Sequence, residues 1–116
     1  MNILLIEDDR NFGWILKREL EAEDHRVNLA GDGVDGILSF IDAQYDIVLL
    51  DIRMPRLNGL DALRILKRLD PAVPVIAFSA NTSPRDIADT EEAGALVCLT
   101  KPFEVAQLKR EIACCQ

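Results

Sequence analysis

Histidine, cysteine and net positive charge are all scarce in this 116-residue chain, and each shortage closes off a class of function. The single His25 sits in the charged turn "EDHR" before the second apolar run, so no imidazole cluster exists for metal binding or catalysis, and an exposed loop position is expected. Cys98, Cys114 and Cys115 are odd in number and lack CxxC spacing, which argues against a disulfide framework and a zinc site and leaves reduced, partly buried thiols. Thirteen Lys and Arg stand against 20 Asp and Glu, for a net charge of −7. Nucleic acid and anionic membrane would be repelled, so neither is expected as a direct partner. The same acidity suits a site that holds a cation. No apolar run approaches the roughly 18 residues of a membrane span, and no basic stretch precedes an apolar one at the N-terminus, so a cytosolic protein is expected. Repeats, low-complexity segments and Pro/Gly/Ser linkers are missing as well. With 49% hydrophobic residues, residues 1–116 are expected to form one compact domain with a real core.

What the chain does have is short apolar runs alternating with stretches of helical period. "NILLI" (2–6) reads as a buried strand, and in "DRNFGWILKRELEAE" Phe12, Ile15, Leu16 and Leu20 fall on one helical face. "RVNLA" is a second strand. "GVDGILSFIDA" places Val34, Ile37, Leu38 and Ile41 at i, i+3, i+4 and i+7, the signature of an amphipathic helix. "DIVLL" is the third strand, and Leu60, Leu63 and Leu66 mark a helix opening near Gly59. "PVIAFSA" is the fourth strand. Ser83, Pro84 and Asp86 then form a capping-box pattern for a helix that ends near Gly94. "ALVCL" is the fifth strand, and Val105, Leu108 and Ile112 give a last helix. Five strands alternating with five helices imply a parallel sheet covered on both faces.

Ligands of such doubly wound sheets sit at the carboxyl ends of the strands, where the strand order reverses. Those ends carry "IEDD", Asp51, "SAN" and "TKP". Asp51 poses the sharpest question, because it closes a run of four apolar residues and an ionised carboxylate buried without a partner costs several kcal/mol. With strand order 2-1-3-4-5, Glu7, Asp8 and Asp9 would face Asp51 across the crevice. An all-oxygen set of carboxylates suits a hard divalent ion, with Mg²⁺ as the expected occupant. Lys101 can reach the same crevice, and Ser79 offers a neutral hydroxyl. Such a set is what phosphoryl transfer to a carboxylate requires. Asp51 would be the nucleophile, and Lys101, the Ser79 hydroxyl and the Ala80 backbone N–H would hold phosphoryl oxygens.

"IEDD", "LLDIRMPRLNG", "FSA" and "LTKPF", with separations of 43, 28 and 22 residues between Asp8, Asp51, Ser79 and Lys101, resemble the receiver domains of bacterial two-component response regulators. The resemblance covers essentially the whole chain. It implies a flavodoxin-like α/β fold with a doubly wound five-stranded parallel sheet, strand order 2-1-3-4-5, and five helices. It also implies that Glu7 and Asp8 are the metal-binding acid pair, Asp8 directly and Glu7 through water, with Asp51 and the Arg53 carbonyl completing the ligands. Asp51 matches the phosphoacceptor, Ser79 the switch hydroxyl and Lys101 the phosphate-binding lysine, expected to meet phosphoryl oxygens once transfer has occurred. The peptide bond before Pro102 is commonly cis in the family. Cys98 stands where receivers usually carry Tyr or Phe, which departs from the usual aromatic switch.

Blander readings apply to several residues. Asp9 precedes the first helix and reads as its N-cap. "RILKR" reads as a solvated helix face. Trp14 falls off the apolar stripe and is either an exposed aromatic in a partner surface or packed under a loop. For the whole chain, the leading expectation is a phosphorylation-controlled switch. Asp51 would be charged by a sensor histidine kinase, a phosphotransfer protein or a small acyl phosphate, shifting a surface on the fourth helix, fifth strand and fifth helix toward an output domain, a downstream protein or a second copy. An adaptor with a vestigial pocket is the alternative. An aspartyl-phosphate phosphatase is disfavoured because Arg53, not a second Asp, stands two residues after Asp51. Both a stand-alone receiver and the front of a longer regulator fit a chain that ends in "EIACCQ".

Overall fold

The computed structural model describes residues 1–54, 57–80 and 83–115. Ten elements alternate along the chain: β1 (Asn2–Ile6), α1 (Arg10–Glu21), β2 (Arg26–Ala30), α2 (Gly33–Asp42), β3 (Ile47–Asp51), α3 (Gly59–Leu69), β4 (Val75–Ser79), α4 (Pro84–Glu92), β5 (Val97–Thr100) and α5 (Val105–Ala113). The strands pair in parallel in the order β2-β1-β3-β4-β5. The central strands β3 and β4 are buried at every position, as a sheet covered on both faces demands. One layer of core joins Leu4, Val48, Leu50, Val75 and Ala77 to α2, α3 and α4. The other joins Ile3, Leu5, Leu49, Ile76 and Phe78 to α1 and α5. At roughly 1.5–3 kcal/mol for each large apolar side chain withdrawn from water, these two layers dominate the stability of the fold.

Side-chain caps end the helices where the sequence places polar residues. Asp9 accepts from the N–H groups of Asn11 and Phe12, Asn58 accepts from Leu60, and Ser83 and Asp86 bond reciprocally in a capping box. The fourth helix closes at Glu92, two residues before Gly94.

The helix faces differ from the expectation in two places, and glycine is the reason in both. On α2 the side chains of Val34, Leu38 and Ile41 are about half exposed, and the buried positions are Gly33 and Gly36, with Ile37 and Phe40 beside them. A Cβ at Gly36 would overlap the Ile6 side chain, standing 2.7 Å from its Cγ1, so the helix lies on the sheet through its glycines and turns its branched residues outward. On α1 the same exchange puts Gly13 against Leu29, where a Cβ would stand 2.9 Å from Cδ1, and leaves Ile15 exposed. Trp14 is exposed too, with the Arg18 guanidinium 5.0 Å from its ring centroid. His25 is half-buried, not exposed, because its Nδ1 meets the amino terminus of Met1 at 3.2 Å.

Candidate functional site

The strand order sets the site. With β1 between β2 and β3, Ile6 lies beside Leu50, so the residues that follow β1 open onto the end of β3. Asp51 is the last residue of β3, opposite Phe78, and Ser79 ends β4 opposite Thr100. The ladder continues past the strands: the Ile52 N–H donates to the Phe78 carbonyl at 2.9 Å and the Lys101 N–H to the Ser79 carbonyl at 2.8 Å. Regular pairing thereby carries Glu7, Asp51, Ser79 and Lys101 to one edge of the sheet.

Asp51 is buried, at 3% exposure, and it is not unpaired. Its Oδ1 accepts the Arg53 N–H at 2.9 Å, and its Oδ2 accepts from Lys101 Nζ at 3.2 Å. The same ammonium donates to Glu7 Oε1 at 2.7 Å, and Glu7 Oε2 accepts the Asp9 N–H at 3.2 Å. Lys101 is therefore already engaged with both buried carboxylates, so its hydrogen bonds do not await a phosphoryl group. One cation between two buried carboxyl groups offsets part of the desolvation that a negative charge on either would suffer alone.

The electrostatics follow from that crowding. Burial first, and then the close contact with Asp51, push the Glu7 carboxyl up to about 8, with Lys101 pulling in the opposite direction. Burial works to lower the Lys101 ammonium, but the hydrogen bond to Glu7 and the charges of Asp51 and Glu7 outweigh it and raise its pKa. In the absence of a metal, the Glu7 carboxyl therefore keeps its proton into the neutral range. Asp8 is exposed, and oxygen atoms of Glu7, Asp8 and Asp51 lie within 4.8 Å of one another. Three converging carboxylates with no nitrogen or sulfur donor fit a hard divalent cation such as Mg²⁺. Asp9 is turned away into its capping role.

Arg53 lies beside Asp51 through its N–H, while its exposed guanidinium stands 3.6 Å from Asp86. Ser79 is 2% exposed, and its Oγ has no hydrogen-bond partner among the described residues. Ala80 follows it at the surface. The Lys101–Pro102 peptide bond is cis. Cys98 is buried on the α4 side of the sheet, and burial pushes its thiol up.

Sequence reasoning missed the setting of the lysine. Phe12, Phe78 and Phe103 form a cluster with ring centroids 5.6–6.2 Å apart, and Lys101 Nζ lies 4.5 Å from the Phe12 centroid and 5.3 Å from that of Phe78. A signal was available. Of the four Phe in the chain, one precedes Ser79, one follows Lys101-Pro102, and one follows the acidic stretch by three residues.

Comparison with known proteins gives a consistent result. A family model for the response regulator receiver domain matches residues 3–113. The uncharacterized transcriptional regulatory protein YkoG of Bacillus subtilis is 36% identical over 111 residues, covering 96% of this chain and 49% of that protein. The chain spans about half the length of the curated relatives it matches. Among solved structures, the receiver domain of a Francisella response regulator superposes with a TM-score of 0.93 at 27% identity, covering 98% of this chain and 94% of the other. Response regulator TrrA of Thermotoga maritima, solved in complex with Mg²⁺ and beryllofluoride, superposes at 0.89 with 27% identity, covering 99% and 98%.

Proposed function

The chain belongs to the receiver domains of two-component response regulators, and from that premise we propose that it is a phosphorylation-controlled switch with Asp51 as phosphoacceptor. The observation that carries the proposal is the Lys101 ammonium held between Asp51 and Glu7, because it sets a positive charge beside the buried carboxylate that would attack and beside the oxygens it would receive. An Asp51 oxygen would attack the phosphorus of a phosphohistidine on a partner kinase or phosphotransfer protein, or of a small acyl phosphate. A P–O bond to Asp51 forms as the bond to the donor nitrogen or oxygen breaks.

Glu7, Asp8, Asp51 and the Arg53 carbonyl are the residues that would hold Mg²⁺, and the complex of TrrA with Mg²⁺ and beryllofluoride supports that assignment. Bound there, Mg²⁺ supplies positive charge to the entering phosphoryl oxygens. Both Glu7 oxygens already have protein partners, which supports its acting on the metal through water. Lys101 would pass from the carboxylates to a phosphoryl oxygen. The Ser79 hydroxyl, which lacks a partner among the described residues, and the Ala80 N–H would take the others.

We read residues 1–116 as one receiver domain, acting in the cytoplasm beside its kinase. Among the described residues no helix is long and apolar enough to cross a membrane. The α4–β5–α5 surface would carry the change of state to an output domain or downstream protein, or into a dimer. Intact mass after incubation with acetyl phosphate and Mg²⁺ tests the proposal. A transient gain of one phosphoryl group, lost in Asp51→Asn, is expected. No adduct would return the chain to a phosphorylation-independent adaptor, and rapid multiple turnover to a phosphatase.

A further inference from the structure

Helix α4 stands off from α3, and the space between them holds two cavities in line. The larger, about 430 Å³, is lined in part by apolar Ile52, Met54, Leu60 and Cys98 and about equally by polar groups, among them the buried Ser79 and Thr90. The smaller, about 350 Å³, shares Leu60 and Asp89 with it and runs on to Glu92 and Ala93. The larger lies within the size range of pockets that enclose a ligand group, and far exceeds the roughly 150 Å³ that accommodates a benzene ring.

Two observations say what would fill this cleft. Thr90 Oγ1 is bonded to the Asp86 carbonyl at 2.7 Å, whereas Ser79 Oγ, with Ser79 2% exposed, finds no partner among the described residues. An occupant that brings a hydrogen-bonding group on an apolar body would satisfy that hydroxyl, which describes a Tyr or Trp side chain better than an aliphatic one. The charges along the cleft supply the rest. Arg64, on the α3 wall, stands 3.2 Å from Asp61, and Arg53 and Asp86 face each other at the far rim. Asp89 and Glu92 on the α4 wall have no ion pair among the described residues. The uncompensated charge of the cleft is negative on one side only.

We propose that the α3–α4 cleft is a docking groove for a partner polypeptide segment in which a Tyr or Trp side chain enters the larger cavity and a neighbouring Arg or Lys meets Asp89 and Glu92. The groove requires no phosphoryl group on Asp51, so it stands or falls separately from the phosphoacceptor role. Its position, with Ser79 common to groove and phosphoryl site, makes it a place where a partner could read or bias the state of that hydroxyl.

The test is a titration of the ¹⁵N-labelled chain with acetyl-Tyr-Arg-amide, followed by amide shifts. Saturable shifts are expected at Leu60, Ser79, Asp89, Thr90 and Cys98 at low-millimolar peptide, about the affinity of a two-residue anchor. Replacing Arg by citrulline in the peptide, or Asp89→Asn with Glu92→Gln in the protein, should each weaken binding by about fivefold or more, and acetyl-Ala-Arg-amide should lose it. Cys98→Phe, which puts a ring into the cavity, should abolish the shifts while the spectrum stays dispersed. If Cys98→Phe does not fold, the exposed Asp89 and Glu92 variants still decide the matter. An absence of shifts at about 10 mM peptide, shifts centred elsewhere, or equal binding by the citrulline peptide would overturn the groove.

Discussion

The protonation of Glu7 yields a prediction that can be followed through in numbers. Its carboxyl is raised from an ordinary 4.5 to about 8, chiefly by burial and next by Asp51, so the folded state binds a proton that the unfolded chain releases above pH 4.5. The sign follows from linkage. Below 4.5 both states are protonated and the group's contribution is complete. As pH rises toward 8 the unfolded state gains stability by ionising while the folded state does not, and the contribution is lost. One proton of difference corresponds to a slope of about 1.4 kcal/mol per pH unit. Sharing of charge with Asp51 and Lys101 makes that slope an upper limit and the total loss a few kcal/mol. Urea unfolding in EDTA at half-unit steps from pH 5 to 8 should show the wild type losing stability steadily, while Glu7→Gln, which cannot ionise, follows a flatter line. A saturating divalent cation should abolish the wild-type loss, because it favours the ionised carboxylate. Parallel wild-type and Glu7→Gln lines in EDTA would refute the reasoning and place the proton elsewhere in the site.

Four further outcomes are expected. Asp51→Asn should keep the fold, since the amide preserves shape and can still accept the Arg53 N–H, but should gain no phosphoryl group by intact mass. Asp8→Ala should weaken Mg²⁺ binding about tenfold or more by titration calorimetry, yet in EDTA it should not lower the urea midpoint, because an exposed carboxylate is all that is removed. Lys101→Ala should remove the cation that bridges Glu7 and Asp51 and so tighten Mg²⁺ binding in the resting state, while beryllofluoride-induced shifts in α4 shrink in two-dimensional NMR spectra. Gly36→Val should destabilise the chain by about 1–3 kcal/mol in urea unfolding, through collision with Ile6, although valine adds an apolar side chain to the buried face of α2.

Strand positions were legible because both faces of the sheet are covered. Runs such as "NILLI" and "RVNLA" coincide with β1 and β2, and strand order 2-1-3-4-5 then sets which loop ends meet. Helix existence was equally plain, and the buried face was not. Periodicity counts branched apolar residues, whereas α2 approaches the sheet through Gly33 and Gly36, which score as nothing in such a count. In the candidate site, Glu7, Asp8 and Asp51 do converge, because they follow adjacent strand ends. The bridging state of Lys101 was not legible, since it depends on two carboxylates, 94 and 50 residues away, being buried on either side of one ammonium. Cys98 is more deeply buried than the partly buried thiol that was expected. At 7% exposure its neighbours are core residues, so its side chain bears on the cavity beside Ser79 more than on the outer face.

The aromatic cluster around Lys101 bears on timing as well as placement. A free lysine side chain carries about 2 kcal/mol of rotamer entropy, and one that swings in from solvent must lose it when it grips a ligand. Here Phe12 and Phe78 flank the ammonium, and two carboxylates hold its hydrogens, so that loss is incurred when the chain folds. Exchanging a carboxylate oxygen for a phosphoryl oxygen then asks only for a short displacement within a corridor already built. The lysine acts as a preset latch, and the helix that supplies Phe12 helps to set how far the latch can travel.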